Sequence, residues 1–133
     1  MKKLAFALLA LSTLLLATPL LAADSKTLEG EFIWEREDEN VAGALKAVFE
    51  PTGDATWDVS FYFTFEDKDH IYKGTAEGSL TEGELKGEVL SDGEEPHPYE
   101  FTGSFAEDGS FSGTHSYTGG EEARPTGTIT FTR

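Results

Sequence analysis

"ATWDVSFYFTF", residues 55–65, alternates apolar and polar side chains along its whole length. Ala55, Trp57, Val59, Phe61, Phe63 and Phe65 share one parity, and Thr56, Asp58, Ser60, Tyr62 and Thr64 share the other. Successive side chains of a strand point to opposite faces of the sheet. The stretch therefore reads as a strand with one aromatic face and one polar face, the pattern of an antiparallel sheet packed on one side and solvated on the other.

Seven further stretches alternate in the same way between turn residues. "LEGEFIWE" (28–35) carries Leu28, Phe32 and Trp34 in phase, and "AGALKAVF" (42–49) carries Leu45, Ala47 and Phe49. The latter is the one competitor for a helix; it is short, contains Gly43 and stops at Pro51, which favours a strand. "IYKGTAEGSL" (71–80), "ELKGEVL" (84–90), "YEFTGSF" (99–105), "SFSGTHSY" (110–117) and "GTITFTR" (127–133) follow. The segments between them, "EPTGD" (50–54), "EDKDH" (66–70), "TEG" (81–83), "SDGEEPHP" (91–98), "AEDG" (106–109) and "TGGEEARPT" (118–126), read as turns and loops. "GSLTEGELKGEV" (78–89) is echoed by "GSFAEDGSFSGTH" (103–115), two similar hairpins in one meander.

Glycine interrupts the apolar face at Gly74, Gly78, Gly87, Gly103, Gly113 and Gly127. Such glycines allow a sheet to coil tightly, and they would also leave room for a ligand; curvature is the favoured reading. An eight-strand sheet with one apolar face and two free edges loses both liabilities by closing on itself. The predicted fold is all-β, a single antiparallel up-and-down meander of about eight strands forming a closed barrel, with a two-layer β-sandwich as the alternative.

The N-terminus reads differently. Lys2 and Lys3 precede the apolar run "LAFALLALSTLLLA" (4–17), and "TPLLAA" (18–23) ends in small residues. This is the pattern of a cleaved, bacterial-type secretory signal peptide over 1–23, too short for a spanning helix. A single all-β domain over 24–133 and an exported location, periplasmic or extracellular, are the expectations. The chain has no cysteine, so neither disulfides nor a lipidated Cys anchor are available. Losing Lys2 and Lys3 would leave eight basic against 25 acidic residues, a formal charge of −17. Such a surface repels nucleic acid and anionic lipid. A membrane-spanning barrel is excluded because the polar faces carry Glu29, Glu31, Glu77, Glu84, Lys86 and Glu88 where lipid would require apolar residues.

With eight strands, export and this size, the chain resembles the lipocalin, fatty-acid-binding and avidin group of small barrels. Those barrels often set a first-strand Trp beneath a basic residue of the last strand, a cation–π contact; Trp34 and Arg133 are the matching residues. The group's Gly-x-Trp is not matched, since "GEFIW" (30–34) is two residues wider. The resemblance implies a barrel fold and an internal ligand site, and fold alone does not fix function.

Catalytic chemistry finds little support. There is no Gly-x-Ser-x-Gly elbow, and His115 and Ser116 point to opposite faces of one strand. Acids are abundant on exposed faces, whereas a glycosidase acid needs an apolar setting. "EDKDH" offers Glu66, Asp67, Asp69 and His70, and "SDGEEPHPYE" offers Asp92, Glu94, Glu95 and His97; neither matches a calcium loop or a zinc spacing. No catalytic residue, metal site or cofactor is assigned.

The leading expectation is a non-enzymatic barrel that holds a small apolar or amphipathic molecule among Trp34, Trp57, Phe61, Phe63, Tyr72, Tyr99, Phe101, Phe111, His115 and Arg133, with Phe105 in the same phase. The alternative is a filled barrel acting as a structural or interaction protein through its acidic surface. A hydrolase using a buried acid or His115 comes third.

Overall fold

A computed structural model describes residues 25–132. Eight strands follow one another in chain order: β1 (Lys26–Trp34), β2 (Val41–Gly53), β3 (Thr56–Phe65), β4 (Lys68–Gly78), β5 (Gly83–Leu90), β6 (Pro98–Phe105), β7 (Phe111–Tyr117) and β8 (Arg124–Thr132). Each pairs antiparallel with the next, and β8 closes on β1 from Glu29↔Thr132 to Trp34↔Gly127. The described chain is therefore a closed up-and-down barrel without a helix, not a two-layer sandwich. The expected signal segment 1–23 and Arg133 lie outside the described residues.

The parity of 55–65 holds in the fold. Val59 and Phe61 are buried and Asp58, Tyr62 and Thr64 are exposed. Phe49, Phe101, Phe111, Phe131, Leu85 and Val59 are the largest side chains fully enclosed. Phe61 meets Phe101 across the waist at 5.1 Å between ring centroids, and Phe111 meets Phe131 at 5.6 Å. Aromatic rings thus fill most of the lumen, and their burial supplies the main stabilisation of a chain with no cysteine to cross-link it.

The inward glycines mark close strand approach, not empty space. A Cβ at Gly74 would fall on the Glu88 carbonyl oxygen, and one at Gly127 on that of Ile33. Pressing strands this tightly coils eight of them into a narrow barrel. The reading in which these glycines make room for a ligand is corrected accordingly.

Several boundaries differ from the sequence reading. Glu50–Gly53 extend β2, and the β2–β3 turn is Asp54–Ala55, with Ala55 at φ 54°. An irregularity between Pro51 and Gly53 leaves Thr52 without a partner in the β3 pairing. "EDKDH" is not a five-residue turn. Glu66 and Asp67 alone form it, at φ 52° and 65°, and Lys68–His70 already belong to β4. Two consecutive left-handed residues make the tight hairpin whose twist matches the flanking strands; with no glycine there, the composition does not announce it. β8 begins at Arg124, not 127, because a bulge absorbs Thr126: His115 pairs with Gly127 and Ser116 with Pro125.

Candidate functional site

The alternation of inward side chains continues to the barrel end where β1, β3, β5 and β7 finish. There the inward residues are partly buried aromatics rather than core. Trp34, Phe63, Tyr72 and Tyr99 pack on the core from this side. They form a connected wall: Phe63–Tyr72 at 4.9 Å, Tyr72–Tyr99 at 5.9 Å and Trp34–Tyr99 at 5.6 Å. Beneath them lies a cavity of about 50 Å³, also lined by Phe32, Leu45, Phe61, Val89, Phe101, His115 and Ile129. The volume holds a few waters or one small chemical group, well short of the several hundred Å³ of a drug-sized pocket.

Of the ten residues expected at a ligand site, seven line this cavity: Trp34, Phe61, Phe63, Tyr72, Tyr99, Phe101 and His115. Trp57 and Phe111 stand elsewhere. Trp57 is near the opposite end, its indole N–H donating to the Gly78 carbonyl at 2.9 Å and its ring against Phe49. Phe111 is fully buried between Phe105 and Phe131. Arg133 lies outside the described residues. Arg124 sets a cation beside the aromatic wall, its guanidinium 5.3 Å from the Tyr117 ring centroid.

Four mouth residues escaped the sequence reading of the site: Phe65, His70, Tyr117 and Arg124. Phe65 stacks on Trp34 at 6.1 Å, His70 on Phe63 at 5.4 Å, and Tyr117 meets Tyr99 at 5.6 Å. Extending each strand's period by one step beyond Phe63, Tyr72 and His115 reaches the first three. Arg124 was hidden inside a segment read as loop.

His115 is locked on both ring nitrogens. Its Nε2 lies 3.0 Å from the Ile33 carbonyl, which can only accept, so Nε2 carries the proton. Burial pushes its pKa down, against the smaller upward pulls of the Ile33 carbonyl and Glu35, and the ring is neutral. Nδ1 is then an acceptor for the Thr126 hydroxyl at 2.6 Å, a proton also within reach of the His115 carbonyl at 3.0 Å. Neither nitrogen is free to act as a general base.

The connection from β5 to β6 forms one side of the mouth. Asp92 accepts from His70 Nδ1 and from the Ile71 backbone N–H, both at 2.9 Å. These bonds, that of His70 first, hold its carboxyl below the usual carboxylate range despite desolvation. Ser91 and His97 close the same loop: the Ser91 N–H donates to the His97 carbonyl at 2.9 Å, and the His97 N–H to Ser91 Oγ at 2.8 Å. Tyr72, half enclosed by the wall, has its phenol pushed up to about 12, by burial first and then by Tyr99 and Asp92. Burial, then Tyr117, raises Tyr99 as well, against the opposing pull of Arg124.

Asp69 and His70, taken from the sequence as loop residues, stand on β4, with Asp69 accepting from Thr64 Oγ1 at 2.8 Å. Among the described residues no three His, Asp or Glu side chains come together to hold a metal ion. The described residues include no helix long and apolar enough to cross a membrane. A wider depression of about 630 Å³ lies at the other end of the barrel, among Leu28, Trp57, Leu80, Phe105 and Phe131, where the described chain begins and ends. No protein-family model matches the chain, and no curated protein or solved structure shows significant similarity to it.

Proposed function

We propose that this protein is an exported, non-enzymatic binding module that takes a small apolar or amphipathic molecule at the aromatic end of its barrel. The observation that carries the reading is the small cavity beneath Trp34, Phe63, Tyr72 and Tyr99, apolar at its base and open between partly buried rings. A cavity of about 50 Å³ admits the tip of a ligand and leaves its remainder among the mouth aromatics. The proposal thus takes one end of the interior expected from the sequence as the site. Export rests on the charged, apolar and small-residue pattern of 1–23. The non-enzymatic reading is supported by the neutral, doubly bonded His115.

A second reading is favoured by the ring-filled waist: a packed barrel that works through its acidic exterior. Native mass spectrometry of the mature protein from a periplasmic extract separates the two. A mass excess lost on denaturation supports the binding module. A bare mass, with no gain from a panel of small apolar and amphipathic compounds, supports the filled barrel.

A further inference from the structure

The charge of this barrel is unevenly placed. The four connections at the aromatic end carry eleven acidic side chains and one base, Arg36, which is itself paired with Glu66 at 3.6 Å. The three connections at the other end carry four acids. Two of the acids act electrically on the site itself, Asp92 on Tyr72 and Glu35 on His115. A low-dielectric cleft ringed by one sign of charge focuses that potential into its mouth.

The wall beneath this field is built of π faces. Tyr and Trp rings attract cations through their quadrupoles, most strongly where water is excluded. The wall already holds one cation, the Arg124 guanidinium over Tyr117. From there the rings continue through Tyr99 to Trp34 and Tyr72. The cavity floor is apolar and narrow, which suits a compact methylated or alkyl group better than a chain or a sugar.

We infer that the ligand of the aromatic end is a small organic cation, an ammonium group carried on apolar substituents, held by Trp34, Tyr72 and Tyr99 under the acidic rim. The inference rests on the binding reading above and names its ligand class. Anions are repelled by the rim. A neutral molecule of the same shape gains the apolar contact but neither the field nor the cation–π attraction.

The test uses three probes of one shape: choline, its neutral carbon isostere 3,3-dimethylbutan-1-ol, and the anion 3,3-dimethylbutanoate. The two tryptophans report on opposite ends of the barrel. Trp34 stands in the wall, and Trp57 is bonded to Gly78 at the far end, so its indole N–H signal serves as an internal control. Choline is expected to shift the Trp34 indole resonance and leave that of Trp57 in place. Its affinity should exceed that of the neutral isostere about fivefold to tenfold, from a cation–π contribution of about 1 kcal/mol or more. It should fall severalfold between about 0.01 and 1 M salt, as the screening length shrinks from about 30 to about 3 Å. Tyr99→Phe should retain the preference and Tyr99→Leu should lose it, with an unmoved Trp57 signal showing that each variant is folded.

Equal, salt-independent binding of choline and the alcohol overturns the cationic class and leaves the binding module standing. Preference for the anion also overturns it. If none of the three moves Trp34, the cationic class is again overturned, and the native mass measurement decides separately whether the module binds anything else.

Discussion

His115 on β7 donates its Nε2 proton to the carbonyl of Ile33 on β1, 82 residues away in sequence, across the intervening β8. Gly127, without a side chain between the ring and the Ile33 carbonyl, leaves this path open, and the Thr126 hydroxyl at the adjoining bulge meets Nδ1 of the same ring. The Thr126 carbonyl in turn accepts from the Glu35 N–H at 2.8 Å. One neutral imidazole thus adds side-chain bonds to the backbone ladder that closes β8 on β1.

His115→Ala removes the donor to Ile33 and the partner of Thr126, and should cost about 1–3 kcal/mol in chemical unfolding. The wild-type protein should also show a pH dependence that the variant lacks. The folded-state pKa of His115 lies below its unfolded value, so its contribution is fully present above about pH 6.5. It is lost as pH falls from there toward the lowered value. Unfolding midpoints between pH 5 and 8 check both statements.

Gly127→Ala should be far more damaging than Gly93→Ala. Both positions have positive φ, 154° and 105°, and share backbone strain of about 1 kcal/mol or more. At Gly93 nothing lies within 4 Å of the added carbon. At Gly127 it would strike the Ile33 carbonyl and the His115 ring, 2.7 Å from Nε2. Gly127→Ala should open the β1–β8 seam, with loss of amide protection at Ile33 and Glu35 in hydrogen exchange; Gly93→Ala should leave that protection intact.

Asp92→Ala should free the β5–β6 connection without unfolding the barrel. The amide of Ile71 loses its acceptor and should exchange faster, while amides at the waist keep their wild-type rates. In the native protein the Asp92 carboxyl is held low, so its contribution is present above the ordinary carboxylate value near pH 4. It disappears as pH falls through the lowered value. An acid titration of the Ile71 amide signal should show that step.

Alkaline titration should reveal Tyr72 as a late phenol. Its neutral form is favoured in the fold up to about pH 12, against an ordinary value of 10.0. Stability from this group is complete below pH 10 and is lost as pH rises from 10 toward 12. Phenolate absorbance should keep a component in that range that Tyr72→Phe removes.

Phe101→Ala tests how fully the waist is packed. Phe101 is 2% exposed, lines the cavity and meets Phe61 at 5.1 Å. Its loss should cost about 3–5 kcal/mol. The space it vacates should join the existing cavity, and a void lined by apolar side chains admits small aromatic molecules. Benzene should therefore raise the Tm of Phe101→Ala by more than that of the native protein.

Period-two alternation determined a great deal here. The parity of Trp57, Val59, Phe61 and Phe63 sets which side chains of β3 turn inward, and it does so locally, because the chain must present successive side chains to opposite faces of a sheet. Eight such segments joined by short connections imply a meander, and seven of the ten expected site residues accordingly line one cavity. Other features were decided only in three dimensions. Alternation does not state the height of a residue along the barrel, which follows from strand register and stagger, so Trp57 and Phe111 share a parity with Phe63 yet stand apart from it. The paired left-handed residues Glu66 and Asp67 and the bulge at Thr126 fall at positions not occupied by glycine, so composition does not mark them. They bring His70, Tyr117 and Arg124 to the mouth. The amount of empty space inside is likewise a property of how closely strands approach at Gly74 and Gly127, and only the closed barrel decides that the waist is filled and one end is left as a cup.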